Sequence, residues 1–213
     1  MYHYPEEFIK EIPKTDLHLH LDGSLRLKTL IDLAKKNNIE LPSYEEDGLK
    51  ELVFKDRYHD LGEYLQGFQY TMAVLQTPES LEQTAYELAM DNIQEGVYYI
   101  EPRFAPQQHI SDELDFTGIL SAVNKGLDRA RKEHNSKKEV VDGLIPSFHY
   151  GIIVCAMRMF LPEFSNYYKK LFHVLRYSSK KEIYSAASLE LAKASVNTRD
   201  KYGIPIVGFD LAG

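Results

Sequence analysis

The stretch Thr15-Asp16-Leu17-His18-Leu19-His20-Leu21-Asp22-Gly23-Ser24 decides how the chain is read. Apolar and polar residues alternate in it: Leu17, Leu19 and Leu21 on one face, Asp16, His18 and His20 on the other. A period of two belongs to a β-strand, and Asp22-Gly23-Ser24 is the turn that ends it. Residues i and i+2 of a strand project to the same side, so the two imidazoles point together. Neutral imidazole nitrogens suit Zn2+, and a strand end holds its ligands more rigidly than a loop. A bare HxH pair also occurs on solvated strand faces. The first-strand position and the Asp-Gly turn behind it favour the metal reading.

Outward from this strand, short apolar runs alternate with longer amphipathic ones, the pattern of βα units. A helix over 25–37 carries Leu27, Leu30, Ile31 and Ala34 at helical spacing. Residues 38–77 form a long connection containing helices, with Tyr64, Leu65, Phe68 and Met72 in register. A helix beginning at Pro78 buries Leu81, Ala85, Leu88, Ala89 and Ile93 and ends at Gly96. The second strand spans 97–101 and runs towards Arg103-Phe104. Thr117 is read as the cap of the next helix, whose stripe is Leu120, Val123, Leu127 and Ala130. The third strand, 150–155, is nearly all apolar, as for a strand covered on both faces. Residues 161–180, rich in aromatics and lysines, read as an insertion. A helix over 181–201 and a fourth strand over 204–210 follow. The predicted fold class is α/β: the first half, about four βα units, of a (β/α)8 TIM barrel, as a single incomplete domain over 1–213. Four parallel strands leave an open edge and an apolar face. The expected cover is a complementary carboxy-terminal half or self-association through that edge.

Composition narrows the function classes. Of 213 residues, 44% are hydrophobic and 27% charged, as in an ordinary globular chain. The net charge of −7 and the lack of a basic run argue against nucleic acid as partner and for a small molecule. The single cysteine, Cys155, excludes an intrachain disulfide. Residues 1–14 carry charges throughout, unlike a signal peptide, and no apolar run approaches membrane-span length. The expected location is the cytoplasm, with no membrane partner.

Asp16-Leu17-His18-Leu19-His20-Leu21-Asp22-Gly23 resembles the opening strand of the adenosine deaminase family. Tyr99-Ile100-Glu101-Pro102-Arg103-Phe104-Ala105-Pro106 resembles that family's second strand. Ile153-Val154-Cys155-Ala156-Met157-Arg158 resembles its third, and Val207-Gly208-Phe209-Asp210-Leu211-Ala212-Gly213 its fourth. The resemblance implies hydrolytic deamination of adenosine to inosine: a zinc-activated water adds to C6 of the purine, and ammonia leaves. It implies His18 and His20 as ligands of one Zn2+, and a purine nucleoside as the small-molecule partner. His20 and Asp22 match positions lining the nucleoside site, with Asp22 near the ribose. Gly213 matches the glycine whose backbone approaches the purine. Leu61, Tyr64, Leu65 and Phe68 match an apolar lid, where Tyr64 adds a hydroxyl to the family's usual phenylalanine. Met157 matches a further pocket-lining residue; plain core packing is the competing reading for the lid residues and Met157.

The family's third histidine, its aspartate ligand and its acid/base glutamate match nothing up to Gly213. No catalytic acid or base is therefore assigned within the chain, and the chain taken alone is expected to lack useful deaminase activity. The other histidines, His3, His59, His109, His134, His149 and His173, are expected at the surface or in loops. Glu101 is expected in a buried ion pair with Arg103 or Arg158 rather than in catalysis. Asp210 is expected to fix the loop around Gly213 or to touch ligand. Two alternatives stand beside the adenosine reading. One is a different HxH hydrolase, such as a phosphoesterase or an adenine or AMP deaminase. The other is a non-catalytic half-barrel that needs a complementary chain.

Overall fold

The computed structural model describes residues 4–212. Helix α1 (Glu6–Glu11) leads into strand β1 (Lys14–His20). Helices α2 (Leu27–Asn37), α3 (Glu46–Leu52), α4 (Leu61–Val74) and α5 (Pro78–Gln94) follow before strand β2 (Val97–Phe104). Then come α6 (Phe116–Asn135), the single turn α7 (Lys138–Val141), strands β3 (His149–Tyr150) and β4 (Ile152–Met157), helices α8 (Asn166–Val174) and α9 (Lys180–Tyr202), and strand β5 (Ile206–Ala212). All strand pairs are parallel, in the order β1-β2-β4-β5, with β3 on β2. The sheet is therefore the first arc of a (β/α)8 barrel, as the pattern predicted.

Local chemistry sets the helix ends. Thr77 and Ser80 form a reciprocal capping box at the start of α5, with Pro78 in its first turn. Ser179 and Glu182 do the same for α9, which ends at Gly203 with φ +66°. The cap of α6 is Asp115, whose carboxylate accepts from the Gly118 N–H at 2.7 Å. Thr117 lies inside the helix instead, with its hydroxyl 3.3 Å from that of Thr198. Both are capping residue types, and the side chain two positions earlier takes the role.

The third predicted strand is split in two at Gly151. A Cβ on that residue would lie 2.4 Å from Val207 Cγ2, so β5 can close on β4 only over a glycine. The fourth strand sits slightly later than expected, because Pro205 supplies only its carbonyl, to the Ile152 N–H. Strand β1 is less regular than its sequence. Leu17 is 54% exposed, and the ladder with β2 slips between Asp16 and Leu19. The Asp16 carboxylate accepts the His18 N–H at 3.0 Å, a local bond that competes with the ladder.

The core lies between the sheet and its helices. Leu19, Leu21, Ile100, Phe104, Ile152 and Val154 pack in one cluster with Leu30, Leu81, Leu88, Leu120 and Leu127. Each such side chain contributes about 1.5–3 kcal/mol of burial. Helices α5 and α6 meet at Gly126, where a Cβ would stand 2.2 Å from the Glu82 carbonyl oxygen. On β5, Val207, Phe209 and Leu211 remain about half exposed.

Candidate functional site

The carboxyl ends of the strands bring the predicted residues together. His18 and His20 leave β1 on one side, with ring centroids 5.8 Å apart and planes tilted by 45°. A ring ligating zinc through nitrogen has its centroid about 3.2 Å from the ion, so two such rings at a tetrahedral angle sit about 5.2 Å apart. The observed spacing fits that requirement with little adjustment. Among the described residues, no three His, Cys, Asp or Glu side chains gather as they would around a metal. The chain thus presents a pair of donors.

Asp22 follows at the turn and is buried. Its Oδ1 lies 3.7 Å from His20 Nδ1 and has no hydrogen-bond partner. An unpaired buried carboxylate oxygen costs about 1–3 kcal/mol or more. It calls for a donor that the described residues do not supply. The Ser24 hydroxyl donates to the His20 carbonyl at 2.5 Å and closes the turn.

Helix α4 carries the four predicted lid residues on one side, at i, i+3, i+4 and i+7. Phe68 stands edge-on to His20, centroids 6.5 Å apart, and a Cβ on Gly23 would lie 3.4 Å from its ring. Tyr64 packs on Phe68 at 5.8 Å and on Tyr58 at 5.2 Å. Leu61 and Leu65 are 70% and 50% exposed. Met157 ends β4, paired with Ala212, and touches two clusters: Ala105, Ile153 and Cys155 on one side, and the Phe160–Tyr168 aromatics on the other. Gly213 lies outside the described residues.

Arg103 takes a place that the sequence did not mark. Its Nη1 donates to Asp210 at 2.5 Å and lies 3.3 Å from His18 Nε2, while its buried Nε has no partner among the described residues. Glu101, expected to pair with an arginine, instead accepts from the Tyr99 hydroxyl at 2.8 Å. Asp210 pairs with Arg103; the loop around Gly213 that it was expected to fix lies outside the described residues. Period-two alternation along β2, which sets Tyr99, Glu101 and Arg103 on the face opposite Ile100, Pro102 and Phe104, was the available signal. Neighbouring Cys155 is buried, and burial followed by the nearby Asp210 charge pushes its thiol up to about 12.

Of the histidines expected at the surface or in loops, two are buried: His109, in a turn after β2, and His134, inside α6. His134 Nε2 bonds the Pro146 carbonyl at 3.0 Å. His109 Nδ1 bonds the Leu75 carbonyl at 2.7 Å, at the end of the lid helix, and its Nε2 has no partner. Burial holds its imidazole below the usual histidine range, against the opposing pull of the Leu75 carbonyl and the Asp22 charge. His59, His149 and His173 are exposed, as expected, and His3 lies outside the described residues.

Residues 13–213 match the family model described as adenosine deaminase. An adenosine deaminase of Clostridium botulinum (strain 657 / Type Ba4) is 43% identical over 135 residues, covering 63% of this chain and 41% of the relative. Two solved structures share the fold. The Arabidopsis ADAL protein complexed with IMP superposes with a TM-score of 0.66 at 21% identity, over 97% of this chain and 51% of that one. An amidohydrolase from Burkholderia ambifaria with bound Zn gives 0.67 at 16% identity, over 97% and 46%. The chain thus spans about half, or less, of the length of the proteins it matches. Among the described residues, no helix is long and apolar enough to cross a membrane.

Proposed function

This chain belongs to the adenosine deaminase family, and on that premise we propose that it forms part of a zinc-dependent hydrolase that deaminates adenosine to inosine. The observation that carries the reading is the placement of His18 and His20, 5.8 Å apart at the carboxyl end of β1. Parallel α/β barrels assemble their active sites at that end of the strands. Bound there, zinc supplies Lewis acidity that turns water into a nucleophile near neutral pH. His18 and His20 would hold the ion from one side, and a complementary carboxy-terminal half would supply the remaining donors and the acid/base group.

The chain's other residues bind and orient. The unpaired Asp22 Oδ1 accepts a sugar hydroxyl, which supplies the donor that the buried oxygen lacks. Phe68 and Tyr64 shield the ring face of the purine and exclude water from the side of His20. Met157, at the end of β4, lines the pocket, and the resemblance assigns the glycine beside the base to Gly213. The buried carboxylate of Asp22 favours a neutral sugar end over a 5′-phosphate, since like charges repel strongly in a dry site. That supports adenosine over AMP.

The test is ammonia release from adenosine, adenine and AMP by the polypeptide completed with its carboxy-terminal half, with zinc content measured alongside. Adenosine should be the preferred substrate, and His18→Ala or His20→Ala should remove both zinc and activity. Full activity in either variant, or preference for AMP, refutes the reading.

A further inference from the structure

Arg103 stands between a predicted zinc ligand and a carboxylate, and its geometry fixes the state of that ligand. Guanidinium groups donate hydrogen bonds and cannot accept them. At 3.3 Å from Arg103 Nη1, His18 Nε2 is therefore the acceptor, and the proton of the neutral ring sits on Nδ1. That is the tautomer whose Nε2 lone pair faces the site. A lone pair accepting from Arg103 cannot also bind a cation, so the guanidinium must give way when a metal arrives. Asp210 provides the resting place, because the same Nη1 already donates to its carboxylate.

The sheet explains why three strands can meet at one guanidinium. His20 pairs with Arg103 across β1 and β2, Arg103 with Ile153 across β2 and β4, and Cys155 with Asp210 across β4 and β5. The Arg103 side chain is 13% exposed, so little water shields its charge, and Asp210 is the carboxylate that neutralises it.

Resting on the zinc reading above, we propose that Arg103, tethered by Asp210, is a positioning residue for His18: it holds the imidazole in the Nδ1–H tautomer with Nε2 directed into the site, and surrenders that lone pair to the metal while Asp210 cancels its charge. Without Asp210, the guanidinium charge would stand uncancelled beside the cation's site, a repulsion taken at a separation of about 5 Å. Even with water's screening, that repulsion weakens binding by about tenfold or more.

The experiment uses the full chain with zinc alone as the probe. In the metal-free protein, long-range 1H–15N correlation reads the His18 tautomer, and chelator competition reads zinc affinity. Wild type should show His18 with Nδ1 protonated. Arg103→Met should shift His18 towards the Nε2–H form while leaving His20 and the buried His109 unchanged, which a general loss of structure would not do. Asp210→Asn should keep the Nδ1–H form and weaken zinc by about tenfold, and the double variant Arg103→Met/Asp210→Asn should recover part of that loss. An unchanged His18 tautomer in Arg103→Met, or unchanged zinc affinity in Asp210→Asn, overturns the proposal. Failure of the zinc reading looks different: wild type and His18→Ala would then bind zinc equally poorly.

Discussion

Acid should weaken this fold through one residue, His109. In the folded chain its ring is buried, its Nδ1–H is committed to the Leu75 carbonyl, and its Nε2 has no donor to meet. Burial holds the folded group below the ordinary histidine value. The unfolded chain therefore binds a proton at this position more readily than the folded one. The stability contributed by the buried neutral ring is present above the unfolded pKa of about 6.5 and is lost as pH falls below it. Between about pH 7.5 and about pH 5.5 the unfolded histidine gains a factor of about ten in its binding polynomial, or about 1.4 kcal/mol. His109→Asn removes the titration but keeps an N–H for the Leu75 carbonyl. Urea unfolding of both chains at the two pH values isolates the term, because the remaining groups are common to both. Wild type should lose more than the variant over that interval, by up to about 1.4 kcal/mol. Equal losses would show that His109 is not held neutral by burial, and the account of this corner would be wrong.

Three further outcomes follow from the packing and the site. Gly126→Ala should destabilise by about 1–2 kcal/mol, although alanine gains about 1 kcal/mol of helix propensity, because its Cβ would meet the Glu82 carbonyl oxygen across the α5–α6 contact. The exposed Ser121→Ala in the same helix, stabilising by a few tenths of a kcal/mol, is the control in chemical denaturation. Asp22→Asn should leave stability unchanged or raise it by about 1 kcal/mol, since it removes the charge of a buried carboxylate whose Oδ1 lacks a hydrogen bond, yet it should weaken inosine binding at least about tenfold. Paired unfolding and equilibrium dialysis read both effects. Cys155 should resist iodoacetamide in the native chain at neutral pH and react once urea unfolds it, because its buried thiol is held up near 12 and little thiolate forms.

What the sequence made legible is what depends on neighbours along the chain. The alternation around His18 and His20 placed both imidazoles on one side of a strand, and helical spacing located α5, α9 and the start of α6 to within a residue or two. What it left unreadable depends on partners far away in sequence. The break at Gly151 is imposed by the Val207 side chain on another strand. The burial of His109 depends on a carbonyl 34 residues distant. Glu101 found Tyr99 two residues away rather than an arginine, because Arg103 was taken by Asp210, 107 positions on. Even within β1, the local bond from His18 N–H to Asp16 overrode the strict alternation at Leu17.

The polar residues of the site also help to set the register that brings them together. Arg103 projects from β2 to the side where His18 and Asp210 wait, while Ile100 and Phe104 project into the core. A slip of one residue in the β1–β2 or β2–β4 pairing would turn every side chain of β2 over. Arg103 would then enter a layer made of Leu19, Leu21, Ile152 and Val154, with no carboxylate to meet it. Burying an unpaired guanidinium costs several kcal/mol, comparable with a domain's whole net stability. Apolar residues alone would penalise that slip less, since Tyr99 can be buried on either face. The charged cluster therefore contributes specificity of register as well as chemistry. It does so at the level of the sheet where His18 and His20 stand, so the geometry of the histidine pair and the alignment of the strands are held by the same contacts.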